Sequence, residues 1–313
     1  MFKNHIHAIK NIGIISLLGI IFLGLIINQT LPNQPIPTTP EQLEILGTIV
    51  NVDITPNAVP FKNSSTSSPA ILAEAAIVID QASYSPLYSK NGDISTYPAS
   101  TTKIASAVVV LEQYNLKQVV TIPADIFAKS DGSRMNLIPG DSLTINDLLI
   151  GMLVNSGNDA AYVLAINHPD GYDGFVDAMN DLVTKLHLTN TKFDNPTGYD
   201  SVNHYISPRD LAILADYAYK FPLFQQIVNT KDTTLYSAIN PKIIYPLHNT
   251  NSLLGKFNGI NGIKTGWTAT AQGVLVTHVS RDQHNIIVVV MRSGQRETDT
   301  ISLIDWVYDT YTW

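Results

Sequence analysis

Two side chains three positions apart could perform nucleophilic catalysis: Ser100 and Lys103, in the stretch Ser-Thr-Thr-Lys. On a helical turn this spacing places both on one face. A serine hydroxyl is a weak nucleophile at neutral pH until a base takes its proton. A lysine can be that base when burial or a nearby positive charge lowers its pKa, and we expect Lys264 to be the second cation. These residues predict acyl transfer, with Ser100 as nucleophile and Lys103 as general base.

Two further motifs follow along the chain, Ser156-Gly157-Asn158 and Lys264-Thr265-Gly266. Each motif alone is weak support, because a serine at a helix start, a Ser-Gly-Asn loop and a lysine on an edge strand are common structural features. Together and in this order, the three motifs resemble those of penicillin-binding proteins and β-lactamases.

The sequence around the motifs resembles one group of these proteins, the serine D-Ala-D-Ala carboxypeptidases of peptidase family S11, which trim peptidoglycan stem peptides. The similar stretches are PASTTKIASAVVVLE, GDSLTINDLLIGMLVNSGNDAA and GINGIKTGWT. The resemblance implies the α/β (α+β) transpeptidase fold of penicillin-binding proteins and β-lactamases, an antiparallel sheet flanked by helices with an all-helical insertion. It also implies a stem peptide ending in D-Ala-D-Ala as substrate, and β-lactams as covalent inhibitors.

The resemblance gives the residues of the second motif their roles. Ser156 is expected to pass a proton between Lys103, Lys264 and the leaving amine. Asn158 is expected to hold Lys103 and the backbone of the substrate.

The third motif is expected to bind the substrate. Lys264 and Thr265 lie on a predicted edge strand, which can accept an extended peptide by strand addition. In the family, Thr265 binds the terminal carboxylate while Lys264 supplies positive charge, and Gly266 and Trp267 continue the substrate-binding strand. The backbone N–H groups of Trp267 and Ser100 are expected to form the oxyanion hole.

Hydrophobic periodicity and turn residues predict the elements that position these motifs. Pro98 begins a largely buried helix, and a capping box formed by Thr144 and Asp147 begins a second helix that ends before the middle motif. Strands are predicted at residues 75–80, 262–267, 273–280 and 286–291, and further helices at 159–166, 211–219 and 297–313. Short connections make the last three strands antiparallel neighbours.

The N-terminal residues predict a membrane anchor. An uncharged apolar run at residues 12–27 follows Lys3 and Lys10. Sixteen helical residues span about 24 Å, somewhat less than the hydrocarbon core of about 30 Å. No small-x-small cleavage site follows, which favours an uncleaved anchor over a cleaved signal peptide. The preceding positive charges keep that end cytoplasmic, so we expect a single-pass protein of the cell membrane with an extracytoplasmic catalytic domain.

Three regions are therefore expected. Residues 1–28 form the cytoplasmic tail and anchor, and residues 29–70, with seven prolines and a Ser/Thr cluster, form a linker. Residues 71–313 form the catalytic domain. The sheet and last helix account for the residues after Gly266, so we expect no additional C-terminal β-domain.

Composition excludes several function classes. The net charge of −7 and the scattered Lys and Arg residues argue against nucleic-acid binding. The chain has no cysteine, which excludes a disulfide framework, a thiolate zinc site and a thiol nucleophile. Its eight histidines form no close metal-ligand pair, and we expect neither a metal nor a cofactor.

Three other activities fit the sequence less well than carboxypeptidase action. A β-lactamase needs a base for rapid deacylation, yet the chain has no glutamate between Glu112 and Glu297. A penicillin sensor must signal inward, but only about eleven residues precede the apolar run. A triad using His204 and Asp210 lacks a Gly-x-Ser-x-Gly elbow, so both residues are predicted to be structural.

The alternative activity is that of a D,D-endopeptidase that cuts crosslinks, because short family members without the C-terminal domain include such enzymes. Thr250 also stands where some members carry an arginine that helps to bind the substrate carboxylate. The motif flanks shape the pocket itself, and they favour the carboxypeptidase.

Overall fold

The computed structural model of the protein describes residues 58–63 and 65–313. The predicted membrane segment at residues 12–27 and the linker up to residue 57 lie outside the described residues. Within the part that is described, no helix is both long enough and apolar enough to cross a bilayer.

Eleven strands and eight helices are found in the described residues. In chain order the strands are β1 (Phe61–Lys62), β2 (Ala75–Asp80), β3 (Pro86–Lys90), β4 (Val119–Thr121), β5 (Ser142–Thr144), β6 (Asp232–Tyr236), β7 (Ile244–His248), β8 (Ile260–Thr268), β9 (Gln272–Arg281), β10 (His284–Ser293) and β11 (Tyr311–Thr312). The helices are α1 (Lys103–Gln113), α2 (Ile126–Lys129), α3 (Ile145–Val154), α4 (Asn158–Ile166), α5 (Gly171–Lys185), α6 (Pro208–Tyr219), α7 (Pro222–Val228) and α8 (Arg296–Thr310). A 3-10 turn at Ala99–Thr102 leads into α1.

A five-stranded sheet with the order β3-β2-β10-β9-β8 has every neighbouring pair antiparallel. Strand β2 lies between β3 and β10 and is buried along its whole length, which explains its continuous apolar sequence. Strand β8, which carries the third motif, lies at one edge. The antiparallel arrangement predicted for the last three strands is confirmed, and each strand is a few residues longer than predicted.

Helices cover both faces of this sheet because alternate side chains of each strand point to opposite faces. Ile77 of β2 belongs to the larger core, on the face against which α6 packs. Val78, the next residue, belongs to a second core with Leu303 and Val307 of α8. The sheet is thus the middle of three layers, and the nucleophile turn packs against β8 and β9.

Helix α3, in the insertion between β3 and β8, begins where the sequence predicts. The Thr144 hydroxyl accepts a hydrogen bond from the Asp147 N–H at 3.1 Å, and the Asp147 carboxylate accepts from the Thr144 N–H at 3.3 Å. This is the predicted capping box. The insertion is mainly helical, but three of its helices, α2, α5 and α7, and its two ribbons, β4–β5 and β6–β7, were not predicted from the sequence.

The end of the chain differs from the prediction, because the terminal helix stops at Thr310 and the next two residues form β11. Strand β11 pairs antiparallel with β1, which lies in the predicted linker. The Trp313 indole donates to the Asp80 carboxylate at 2.6 Å, and the Tyr311 hydroxyl donates to the Leu87 carbonyl at 2.7 Å. These distant partners favour extended backbone over another helical turn.

Candidate active site

Ser100 lies on the 3-10 turn before α1 and is partly accessible. Lys103 begins α1, and its Nζ lies 3.1 Å from the Ser100 Oγ. The three-residue spacing therefore brings the two side chains into hydrogen-bond contact, as predicted.

Lys103 is completely buried, and its ammonium has two further partners. The Nζ donates to the Asn158 Oδ1 at 2.6 Å and to the Thr197 carbonyl at 2.7 Å. Burial, followed by the positive charge of Lys264, lowers the pKa of Lys103 well below its usual value, although Asp159 opposes the shift. A neutral Lys103 that keeps its two N–H bonds has one lone pair left, and Ser100 is the neighbour that can donate to it.

The middle motif connects α3 to α4. Ser156 is buried and has a left-handed backbone, with φ of 58°, which turns the chain between the two helices. Asn158 begins α4; its Oδ1 accepts from Lys103 and its Nδ2 donates to the Asp131 carbonyl at 2.5 Å. The predicted contact of Asn158 with Lys103 is therefore present, and the proton-relay role of Ser156 stays a prediction.

Lys264 is buried on β8, and its Nζ donates to the Thr265 carbonyl at 3.1 Å. Burial, with a contribution from the positive charge of Arg296, lowers the pKa of Lys264 to about 7. The hydroxyls of Thr265 and Thr250 lie 2.6 Å apart. The motif thus presents a titratable cation beside a hydroxyl pair at the edge of the sheet.

Gly266 lets β8 approach the nucleophile turn. A Cβ at this position would lie 3.0 Å from the backbone nitrogen of Ser100 and 3.0 Å from the Pro98 carbonyl oxygen. Trp267 follows, with 68% of its surface exposed. The backbone nitrogens of Ser100 and Trp267 therefore belong to segments in close contact, as an oxyanion hole requires.

Arg296, at the start of α8, contributes to the site and was not predicted to do so. Its Nη1 donates to the Gly266 carbonyl at 2.7 Å and its Nε donates to the Glu297 carboxylate at 2.9 Å. A cavity of about 430 Å³ adjoins Arg296, Glu297 and Trp267. The sequence around Arg296 does not indicate this role, because its hydrogen bond to the Gly266 carbonyl joins residues 30 positions apart.

The floor of the site is the loop Asn195-Pro-Thr-Gly198. The Asn195 Oδ1 accepts from the N–H groups of Thr197, Gly198 and Tyr199 at 2.8–3.2 Å, which fixes the loop. The Thr197 carbonyl is thereby presented to Lys103, a contact that the sequence does not indicate although the resemblance to the family implies that this loop frames the pocket floor. Among the described side chains, no group of three or more His, Cys, Asp or Glu is arranged to hold a metal ion.

Comparison with solved structures identifies the fold. The crystal structure of the Streptomyces K15 DD-transpeptidase superimposes with a TM-score of 0.74 at 33% identity, covering 78% of this chain and all of the other. This similarity confirms the predicted fold of the penicillin-binding proteins.

Sequence comparisons identify the family. The model of Peptidase_S11, D-alanyl-D-alanine carboxypeptidase, matches residues 62–295. The D-alanyl-D-alanine carboxypeptidase of Streptomyces sp. strain K15 is 33% identical over 78% of this chain and 89% of its own length. The D-alanyl-D-alanine endopeptidase of Escherichia coli is 32% identical over 84% and 86%. The carboxypeptidase DacF of Bacillus subtilis is 30% identical over 79% of this chain but only 64% of its own length. The chain therefore belongs to the peptidase S11 family, the D-alanyl-D-alanine carboxypeptidases, as its three motifs indicated.

Proposed function

We propose that the protein removes the terminal D-alanine from peptidoglycan stem pentapeptides through an acyl-enzyme on Ser100. The observation that carries this proposal is the position of the buried Lys103 Nζ, 3.1 Å from the Ser100 Oγ and 2.6 Å from the Asn158 Oδ1. A lysine whose pKa is lowered and whose other partners are fixed is suited to take the serine proton.

Acylation proceeds in two steps. As Lys103 takes the hydroxyl proton, the Ser100 Oγ attacks the carbonyl carbon of the penultimate D-alanine, and the N–H groups of Ser100 and Trp267 stabilise the oxyanion. The C–N bond then breaks, and the amine of the terminal D-alanine leaves with a proton that Ser156 delivers and takes in turn from Lys103, which becomes neutral again. The products of this half-reaction are the serine ester and free D-alanine.

Deacylation repeats the same chemistry with water. Lys103 accepts a proton from the attacking water, the second tetrahedral intermediate collapses, and Lys103 returns the proton to Ser100 as the shortened peptide departs. A β-lactam acylates the same hydroxyl, because opening its ring amide follows the first step without releasing a separate amine.

The substrate is proposed to lie along the free edge of β8 as an added strand. In this proposal the Thr265 hydroxyl and the positive charge of Lys264 bind the terminal carboxylate. Thr250, which contacts Thr265, adds a hydroxyl and no charge. The acyl part of the peptide then runs past Trp267, towards the cavity beside Arg296.

A D,D-endopeptidase is the second candidate, and one observation favours it: the Escherichia coli endopeptidase matches over 86% of its own length. The Streptomyces carboxypeptidase matches over a similar 89%. Coverage therefore does not separate the two activities, and the motif flanks, which form the pocket, favour the carboxypeptidase.

Product analysis tests this proposal. The full-length protein is incubated with pentapeptide monomers, with crosslinked dimers, and with pentapeptide plus an acceptor amine, and the products are identified by mass spectrometry. We expect loss of one D-alanine from the monomer, and no reaction with Ser100→Ala. Cleaved dimers with intact monomers would instead establish the endopeptidase, and a peptide–amine product would establish transpeptidation, the activity for which the Streptomyces K15 structure is named.

We also propose that residues 12–27 anchor the protein in the cell membrane, with the catalytic domain on the extracytoplasmic side. The support is the apolar run after Lys3 and Lys10 and the location of peptidoglycan outside the membrane.

A further inference from the structure

The peptide unit between Ala99 and Ser100 occupies a confined position. Ala99 has a φ of 48°, a left-handed conformation that alanine rarely adopts. A Cβ at Gly198 would lie 1.9 Å from the Ala99 oxygen, and one at Gly266 would lie 3.0 Å from the Ser100 nitrogen. Because a peptide unit is planar, with C=O and N–H pointing in opposite directions, whatever holds the Ala99 carbonyl also orients the Ser100 N–H.

A buried hydroxyl holds this carbonyl. The Thr102 Oγ1 donates to the Ala99 oxygen at 2.9 Å, and it lies 2.7 Å from the His204 Nε2. Both side chains are fully buried. A hydroxyl has a single hydrogen, so once Thr102 donates to Ala99 it can only accept from the ring. The His204 Nε2 must therefore carry the proton.

The other ring nitrogen faces donors. The Asp194 N–H donates to the His204 Nδ1 at 3.1 Å, and the Asn195 Nδ2 lies 3.4 Å from the same atom. An Nδ1 that accepts from an N–H group is unprotonated, so the contacts select the neutral Nε2–H tautomer.

The charged groups around His204 are Asp194, Asp200 and Lys103. The Asp194 Oδ1 lies 3.2 Å from the Nδ1 and would receive its proton if the ring were charged. Burial nevertheless lowers the pKa of His204 to about 4, against the opposing effect of Asp194. At neutral pH the ring is therefore uncharged.

We infer that His204 is a positioning residue for the oxyanion hole: its Nε2–H fixes the Thr102 hydroxyl, which holds the Ala99 carbonyl and so aims the Ser100 N–H at the substrate. This inference rests on the proposed acylation of Ser100. It gives His204 a part in transition-state stabilisation without contact with the substrate and without acting as a base.

Kinetics with the full-length protein in detergent test the inference, with acylation by a fluorescent penicillin separated into the binding constant and the acylation rate constant. His204→Phe and Thr102→Val remove the relay, that is, the hydrogen-bond chain from His204 through Thr102 to the Ala99 carbonyl. His204→Gln keeps a donor, and Thr102→Ser keeps a hydroxyl. The matched control is His278→Phe. His278 is also buried, and burial lowers its pKa to about 4, but it stacks on Tyr219 and its Nε2 lies 3.1 Å from the Gln81 Oε1, and neither partner belongs to the nucleophile turn.

Loss of a whole oxyanion donor lowers the rate about 10²–10³-fold, so a misaligned donor is expected to lower the acylation rate constant about 10–100-fold in His204→Phe and Thr102→Val. Binding should stay within about threefold, because penicillin contacts neither side chain. His204→Gln and Thr102→Ser should retain most of the rate, and His278→Phe all of it. Rates within about twofold of wild type in the folded Thr102→Val variant, or an equal loss in His278→Phe, would overturn the inference.

A spectroscopic measurement on the unmodified protein does not depend on how the variants fold. The ¹⁵N shifts of His204 at neutral pH should report a neutral ring protonated on Nε2, and a charged ring or an Nδ1–H tautomer would contradict the relay. The two proposals also fail separately: wild-type protein that penicillin does not acylate removes the proposed function, whereas acylation that is insensitive to Thr102→Val removes only the relay.

Discussion

Arg296 donates from its Nη1 to the carbonyl oxygen of Gly266 at 2.7 Å, across 30 positions of sequence. The Gly266 carbonyl and the Trp267 N–H belong to one planar peptide unit and point in opposite directions. By binding the Gly266 carbonyl, Arg296 thus fixes the orientation of the Trp267 N–H, as the Thr102 hydroxyl fixes that of the Ser100 N–H. Its positive charge also lowers the pKa of Lys264.

Replacing Arg296 should change both the orientation of the Trp267 N–H and the pKa of Lys264. Arg296→Gln removes the charge, so the pKa of Lys264 should rise from about 7. Protonated Lys264 supplies charge for substrate binding, so the acylation rate falls as Lys264 loses its proton. In Arg296→Gln this alkaline limb of the pH–rate profile should therefore move to higher pH. Arg296→Lys keeps a charge but loses the planar donor, so its rate should fall about tenfold with the limb unmoved. A limb that shifts equally in both variants would contradict this assignment.

Lys264 should in turn control Lys103. Its positive charge is the second cause, after burial, of the lowered pKa of Lys103. Acylation needs neutral Lys103, so the rate rises with pH through that pKa. Lys264→Gln removes the charge, the pKa of Lys103 rises, and the acid limb of the penicillin acylation profile should move to higher pH. Lys264→Arg serves as the charged control and should leave the limb in place.

Ser100 and Lys103 should differ in how completely their loss abolishes acylation. Ser100→Ala removes the attacking atom, so a fluorescent penicillin should not label this variant on a gel. Lys103→Ala keeps the hydroxyl but loses the base, and its acylation rate should fall about 10²–10⁴-fold with circular dichroism unchanged. Labelling of Ser100→Ala at another serine would show that the nucleophile lies elsewhere.

The elements that the sequence predicts correctly are those whose signal is local. Periodic apolar residues predict the helix after Ser100, and the Thr144–Asp147 capping box marks the start of α3 within one residue. The three motifs likewise give most of the catalytic constellation, because Ser100 and Lys103 meet through helix geometry alone.

The features that the sequence does not predict depend on contacts between distant segments. Strand β1 pairs with β11 across about 250 positions. Each strand has only two residues, which is too short for an alternating hydrophobic pattern to predict it. The Thr197 carbonyl and the Arg296 guanidinium reach the site by tertiary packing. The contact of His204 with Thr102 has no local signal either, because the two residues lie 102 positions apart.

The predicted anchor can be tested on protein extracted from membranes. The apolar run at residues 12–27 is followed by Asn28-Gln29-Thr30, which lacks the small residues of a cleavage site. Intact-mass analysis should therefore find residues 12–27 still attached, and the protein should stay with membranes after a high-salt wash. A mature N-terminus between residues 28 and 40 would show that the segment is a cleaved signal peptide.

Acid should destabilise the folded protein partly through His278. This side chain is 3% exposed, and burial lowers its pKa from 6.5 to about 4, with Asp216 opposing. Between these values the unfolded state binds more protons than the folded state, so the free energy of unfolding falls as pH falls from 6.5 towards 4. The loss from pH 7 to pH 5 should be about 2 kcal/mol, seen as a lower Tm by calorimetry.

His278→Gln should have a lower Tm at pH 7, but its Tm should fall less steeply as the pH is lowered. The control His187→Asn, at an exposed position, should keep the wild-type dependence of Tm on pH. Equal slopes for His278→Gln and wild type would show that other groups cause the acid loss.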